Sequence, residues 1–111
     1  MSERGTILIV EDNPGMRESC GKLLRLEGYV AIEAANGDEA IEIIRGRDDI
    51  DIVLTDLKMP GMDGVALLKE IKQIDDRVEV ILMTGYGTVK SAVEAMMHGA
   101  ADYITKPFDT N

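Results

Sequence analysis

Apolar residues along this chain come in short blocks that alternate between two rhythms. Thr6–Val10, Tyr29–Ala34, Asp51–Thr55, Val78–Met83 and Asp102–Thr105 are brief aliphatic or β-branched runs. They read as strands, and in Thr6–Val10, too short for a helix, the lack of polar alternation predicts a strand buried on both faces. Between them the spacing changes to three and four. Met16, Cys20, Leu23 and Leu24 stripe a first helix that Asn13-Pro14 starts and Gly28 ends. Ala40, Ile41 and Ile44 stripe a second over Gly37–Arg45, and Val65, Leu68, Ile71 and Ile74 a third. Val89, Ala92, Val93, Met96 and Met97 stripe a fourth that ends near Gly99. Strands alternating with helices over short connections predict an α/β fold, a parallel sheet with right-handed crossovers and helices on both faces.

In such a sheet, ligands bind beyond the carboxyl ends of the strands. Glu11 and Asp12 follow the first strand, Asp56 the third, Thr84 the fourth and Lys106 the fifth. Three carboxylates at one point repel each other and call for a cation. An open, oxygen-lined site of this kind suits Mg²⁺. Asp56 fits a nucleophile that takes a phosphoryl group as an acyl phosphate. Lys106 and the metal would then offset charge on the transferring oxygens, and Thr84 would bond one of them afterwards.

Each of these residues also has an ordinary reading. Glu11 and Asp12 could be solvated acids before a helix N-terminus, Asp56 a turn residue before a Pro/Gly-rich loop, and Lys106-Pro107 a plain loop pair. Their common position at strand ends on one side of the sheet argues against all of these at once.

The 111 residues have room for one domain, 45% of them hydrophobic and 30% charged. The net charge of −9 lacks any Lys/Arg cluster. No nucleic-acid or anionic-membrane footprint is therefore expected from this domain. The longest uncharged run, Val80–Val89, is broken by Thr84, Gly85, Gly87 and Thr88, and the N-terminus lacks a leader pattern. With a single cysteine, Cys20, a cytoplasmic location is expected. Cys20 itself reads as a buried hydrophobe on the first helix. Met96 and Met97 read as packing residues or as a soft face for a partner, and Met59 and Met62 as packing in the loop after Asp56.

The segments ILIVEDN, DIVLTDLKMPGMDG, ILMTGYG and DYITKPF, which span nearly the whole chain, resemble the receiver domain of bacterial two-component response regulators. The resemblance implies a doubly wound, flavodoxin-like five-stranded parallel sheet of order 2-1-3-4-5. It makes Asp56 the phosphoacceptor, Asp12 a direct Mg²⁺ ligand and Glu11 an acid that holds the metal through water. The backbone carbonyl of Lys58 becomes a further ligand, Thr84 the switch hydroxyl, Lys106 the lysine of the site and Tyr103 the aromatic that reports activation. It also implies a cis Lys106–Pro107 bond.

A histidine kinase is the implied donor, and the role is that of a signalling domain, not an enzyme acting on a separate substrate. The segment MTGYGTVKSAVEAMMHGAADYITKPFD is similar to receivers of sigma-54-dependent transcriptional activators, so control of transcription is the expected output. Family receivers also carry a fifth helix. Only four residues follow Pro107, so the receiver over 1–111 is expected to be truncated before that helix. Self-association is expected through helix 4, strand 5 and the face the missing helix would leave.

Three other classes fit the residues less well. An aspartyl-nucleophile phosphatase or dehalogenase-like hydrolase needs a second acid two residues after the nucleophile, where this chain has Lys58. A pure interaction domain with lost chemistry would lack an acid, the hydroxyl or the lysine, and all are present. A dinucleotide site fails because Glu11-Asp12 stand where a Gly-rich turn would be.

Overall fold

A computed structural model of the chain describes residues 5–59, 61–84 and 89–105. Nine elements alternate through it: β1 (Thr6–Val10), α1 (Pro14–Leu26), β2 (Val30–Ala34), α2 (Gly37–Gly46), β3 (Ile52–Asp56), α3 (Gly64–Ile74), β4 (Glu79–Thr84), α4 (Val89–Met97) and β5 (Asp102–Thr105). All neighbouring strands pair in parallel, in the order β2-β1-β3-β4-β5. This is the flavodoxin-like order implied by the resemblance, with four helices among the described residues.

Two apolar layers hold the sheet between them. On one face, Leu8, Val10, Val53, Val80 and Leu82 meet Ile41 and Ile44 of α2, Leu67, Leu68 and Ile71 of α3, and Ala95 of α4. On the other, Ile7, Ile9 and Ala31 pack around Cys20 of α1, with Leu24 and Tyr29 at the margin. Alternation along β1 explains the division, since successive side chains point to opposite faces. Each fully buried aliphatic contributes about 1.5–3 kcal/mol relative to exposure. Cys20 is buried as expected, and Met59 and Met62 pack on the core.

The first three helices begin at the carboxyl edge of the sheet, and each of these is fixed by a side-chain cap. Asn13 Oδ1 accepts from the Met16 N–H at 3.1 Å, Asn36 Oδ1 from Glu39 at 2.8 Å and Asp63 Oδ1 from Ala66 at 2.8 Å. Such caps contribute about 1 kcal/mol each, and they pin the βα loops from which the candidate site is built.

Two helix stripes differ from expectation. Leu23 of α1 is 54% exposed, and the buried side of that helix runs through Cys20 and Gly21. On α4, Val93, Met96 and Met97 are exposed while Ala95 is fully buried. A small side chain lets that helix lie close to the sheet, so the larger residues point outward.

Candidate functional site

Val10 and Thr55 form the last pair of the β1–β3 ladder. One step further, Glu11 and Asp56 stand side by side at the carboxyl edge, with Asp12 next along the first loop. One carboxylate oxygen from each of Glu11, Asp12 and Asp56 lies within 4.8 Å of the others. Glu11 is 1% exposed and Asp56 9%, whereas Asp12 is exposed. The cluster thus has two acids set into the protein and one reaching from the rim.

Local bonds hold the two buried acids. The Glu11 N–H donates to the Ala34 carbonyl at 3.1 Å, and its Oε2 accepts from the Asn13 N–H at 3.1 Å. Asp56 pairs with Met83 as the final residue of β3, one position later than the strand read from sequence. The ladder continues because the Leu57 N–H reaches the Met83 carbonyl at 2.9 Å. Asp56 Oδ1 accepts from the Lys58 N–H at 3.4 Å, and the Thr55 hydroxyl donates to the Asp56 carbonyl at 3.1 Å. Asp56 is therefore held by strand geometry on one side and the following loop on the other.

Two contributors were not singled out from sequence. Gly64 opens α3 directly against the end of β3. A Cβ there would lie 2.6 Å from the Asp56 carbonyl oxygen and 2.8 Å from Leu57 Cα, and its N–H donates to the Leu57 carbonyl at 2.7 Å. No side chain fits. The pair Asp63-Gly64 signals a turn in sequence, but the close approach is a property of the packed fold. The second is Arg17, whose guanidinium Nη1 donates to the Glu11 carbonyl at 2.9 Å.

Thr84 closes β4, paired with Thr105 of β5, so its backbone arrives at the edge that carries Asp56. Its side chain is outside the described part of the structure. Lys106, with the Lys106–Pro107 bond, follows Thr105 and lies outside the described residues. Tyr103 sits opposite Leu82 in β5 and packs partly buried on the core. The carbonyl of Lys58 belongs to the loop directly after Asp56.

The donor set is three carboxylates, all hard oxygen ligands. That composition fits a hard divalent cation such as Mg²⁺, which keeps part of its water shell when few protein groups bind it. No helix among the described residues is long and apolar enough to cross a membrane.

The fold and this edge together define a class of protein, a doubly wound parallel α/β module with an acidic cluster at the carboxyl edge of its sheet. The model of the response regulator receiver domain family matches residues 7–111, and the chain belongs to that family. Among curated relatives, the sporulation initiation phosphotransferase F of Bacillus subtilis is 43% identical over 93% of this chain and 82% of its own length. The DNA-binding transcriptional regulator NtrC of Escherichia coli is 39% identical over 96% of this chain but only 23% of its own length. The chain therefore spans less than a quarter of that regulator. A solved receiver domain from Clostridium thermocellum superposes with a TM-score of 0.90 at 34% identity, covering 95% of this chain and 84% of its own. The receiver domain of NtrX from Brucella abortus gives 0.85 at 35% identity, over 93% and 87%.

Proposed function

We propose that this chain is a phosphoacceptor receiver: it takes a phosphoryl group from a histidine kinase onto Asp56 in a Mg²⁺-dependent reaction. The observation that carries this reading is the convergence of the Glu11, Asp12 and Asp56 carboxylates within 4.8 Å, at the carboxyl edge of a receiver-family sheet. A carboxylate oxygen of Asp56 attacks phosphorus, and the bond from phosphorus to the donor's imidazole nitrogen breaks as the acyl phosphate forms.

Asp12, Asp56 and the Lys58 carbonyl would hold the metal directly and Glu11 through water. When bound, the ion offsets charge on the equatorial oxygens of the transferring group. Burial of Glu11 in a web of backbone bonds favours an indirect role for it, and exposure of Asp12 leaves that carboxylate free to approach a cation. Lys106 places a second positive charge at the phosphoryl group, and Thr84 donates to one of its oxygens once it is attached.

The phosphorylated state is then read through α4 and β5, with Val93, Met96 and Met97 exposed on α4 as an adaptable contact face. A second copy of the domain docking on α4 and β5 is one use of that face. Similarity to NtrC supports control of transcription as the output, with DNA contacted by another part of the regulator.

Incubation with acetyl phosphate and Mg²⁺ should add one phosphoryl mass to the intact protein. Asp56→Ala should abolish the addition, and so should a chelator. An undiminished mass shift in Asp56→Ala sinks the assignment.

A further inference from the structure

Arg17 lies in the first turns of α1, where its own N–H bonds the Asn13 carbonyl at 2.9 Å. Its guanidinium turns back over the loop that precedes the helix. Nη1 donates to the Glu11 carbonyl at 2.9 Å, while Nε faces Glu33 Oε1 of β2 at 3.5 Å. The other Glu33 oxygen accepts from Arg25 Nη2 at 3.2 Å, and that nitrogen also donates to the Ala31 carbonyl at 2.7 Å. The result is a chain of alternating charges, Arg25–Glu33–Arg17, that runs along the seam of α1 and β2 and ends on Glu11.

Gly21 makes room for this chain. A Cβ at that position would lie 2.9 Å from Glu33 Oε2 and 3.0 Å from Arg25 Nη1. Glycine is unfavourable in a helix interior, and Gly21 stands in the middle of α1. Its presence there fits a helix surface that must let the ion pair lie flat across it.

The end of the chain is a sensitive place. The Glu11 carbonyl belongs to the planar peptide that joins Glu11 to Asp12, the two acids of the first loop. With the Glu11 N–H fixed to Ala34 at 3.1 Å and its carbonyl fixed to Arg17, the direction in which Asp12 leaves β1 is set. We propose that Arg17 is a positioning residue for the cation site, orienting the Glu11–Asp12 peptide, and that Glu33 and Arg25 seat it. This rests on the reading of Glu11, Asp12 and Asp56 as a Mg²⁺ site. A guanidinium suits the task because its planar fork serves two acceptors at once.

The bland alternative is an ordinary surface ion pair, and the two make opposite predictions. Arg17 is a positive charge beside an acidic metal site, so by Coulomb repulsion alone its removal tightens Mg²⁺ binding. A positioning residue does the reverse, and support shells of this kind are worth about tenfold or more in metal affinity.

The test is a Mg²⁺ titration of the ¹⁵N-labelled chain, followed at the Asp12 and Asn13 amides. Arg17→Gln should weaken binding about tenfold and shift the Asp12 amide in metal-free protein. Arg17→Lys, which keeps the charge but has one nitrogen for two acceptors, should recover only part of the affinity. Gly21→Ala displaces the Glu33–Arg25 pair without altering any charge and should also weaken binding, which covers the case of an Arg17 variant that does not fold. Wild-type protein that binds Mg²⁺, with Arg17→Gln binding equally or more tightly, overturns the inference alone. Wild-type protein that fails to bind Mg²⁺ overturns the proposed function and this inference with it.

Discussion

Tyr103 stands opposite Leu82 in the β4–β5 ladder, two positions before Thr84 meets Thr105. The aromatic ring and the residue proposed as the switch hydroxyl are thus carried by adjacent strands, and Tyr103 is only partly buried against the core. A phosphoryl group on Asp56 would offer Thr84 a charge-assisted acceptor, and on the proposed reading the end of β4 would then draw inward and change the space beside Tyr103. Thr84→Ala should still accept a phosphoryl group from acetyl phosphate but lose most of the spectral change at Tyr103. Tyr103 resonances that shift as in wild type would show the two to be uncoupled.

Glycines 46 and 64 give a paired test of packing at the site. A Cβ on Gly64 meets backbone, the Asp56 carbonyl at 2.6 Å and Leu57 Cα at 2.8 Å, whereas one on Gly46 meets nothing within 4 Å. Backbone cannot rotate away as a side-chain tip can. Gly64→Ala should therefore cost about 1–3 kcal/mol, the usual range for overpacking. It should also slow phosphorylation by moving the strand end that carries Asp56. Gly46→Ala, at the last turn of α2, should be neutral or stabilise by up to about 1 kcal/mol. Urea denaturation of both variants checks this; equal midpoints would refute the packing argument.

The acids of the site were legible in the sequence because strand ends are easy to place. Short aliphatic runs such as Thr6–Val10 leave little choice of register, and parallel topology sends every carboxyl end to one edge. The boundary of β3 was a residue off because the hydrogen bond that extends the ladder, Leu57 to Met83, is made between segments distant in sequence. Arg17 was not legible for the same reason. An arginine on a helix looks like solvated surface until Glu33 of β2 and the Glu11 carbonyl are brought beside it. On α4 the hydrophobic stripe ran through Val89, Ala92, Val93, Met96 and Met97, yet among the described side chains of that helix Ala95 is the one that meets the core. Periodicity identifies the helix, but close packing against the sheet selects the small residue.

At the opposite edge of the sheet, Asp75 follows α3 and accepts from Arg77 Nε at 3.0 Å, Arg77 Nη2 at 3.1 Å and the Arg77 N–H at 3.0 Å. The side-chain bonds from Arg77, followed by its backbone N–H, hold the Asp75 carboxyl below its ordinary value of 3.8. A depressed folded-state pKa means stability that is present above the unfolded value and is lost as pH falls through the folded one. Asp75→Asn should therefore lose less stability than wild type as the medium is acidified below about pH 4. Arg77 is exposed and Asp75 partly so, so the difference should be small and shrink in high salt. Urea midpoints at neutral and acid pH measure it, and identical acid limbs would contradict the sign.

Glu11 and Asp12 are neighbours in sequence with opposite environments, and the contrast sets the last prediction. Glu11 is 1% exposed, with its carboxylate bonded to the Asn13 N–H, while Asp12 stands at the rim. If Asp12 is a direct ligand and Glu11 acts through water, Asp12→Ala should weaken Mg²⁺ binding more than Glu11→Gln. Stability should rank the other way. Asp12→Ala removes an exposed charge from a crowded acidic cluster, so the metal-free protein should be as stable as wild type or slightly more so. Glu11→Gln keeps the shape but replaces a charged acceptor by a neutral one at the Asn13 bond, at a cost of about 1 kcal/mol. The two measurements separate metal binding from folding: Mg²⁺ titration by NMR for affinity, and urea unfolding without metal for stability. Equal losses of affinity in the two variants would place both acids in the same relation to the cation and overturn the division of roles.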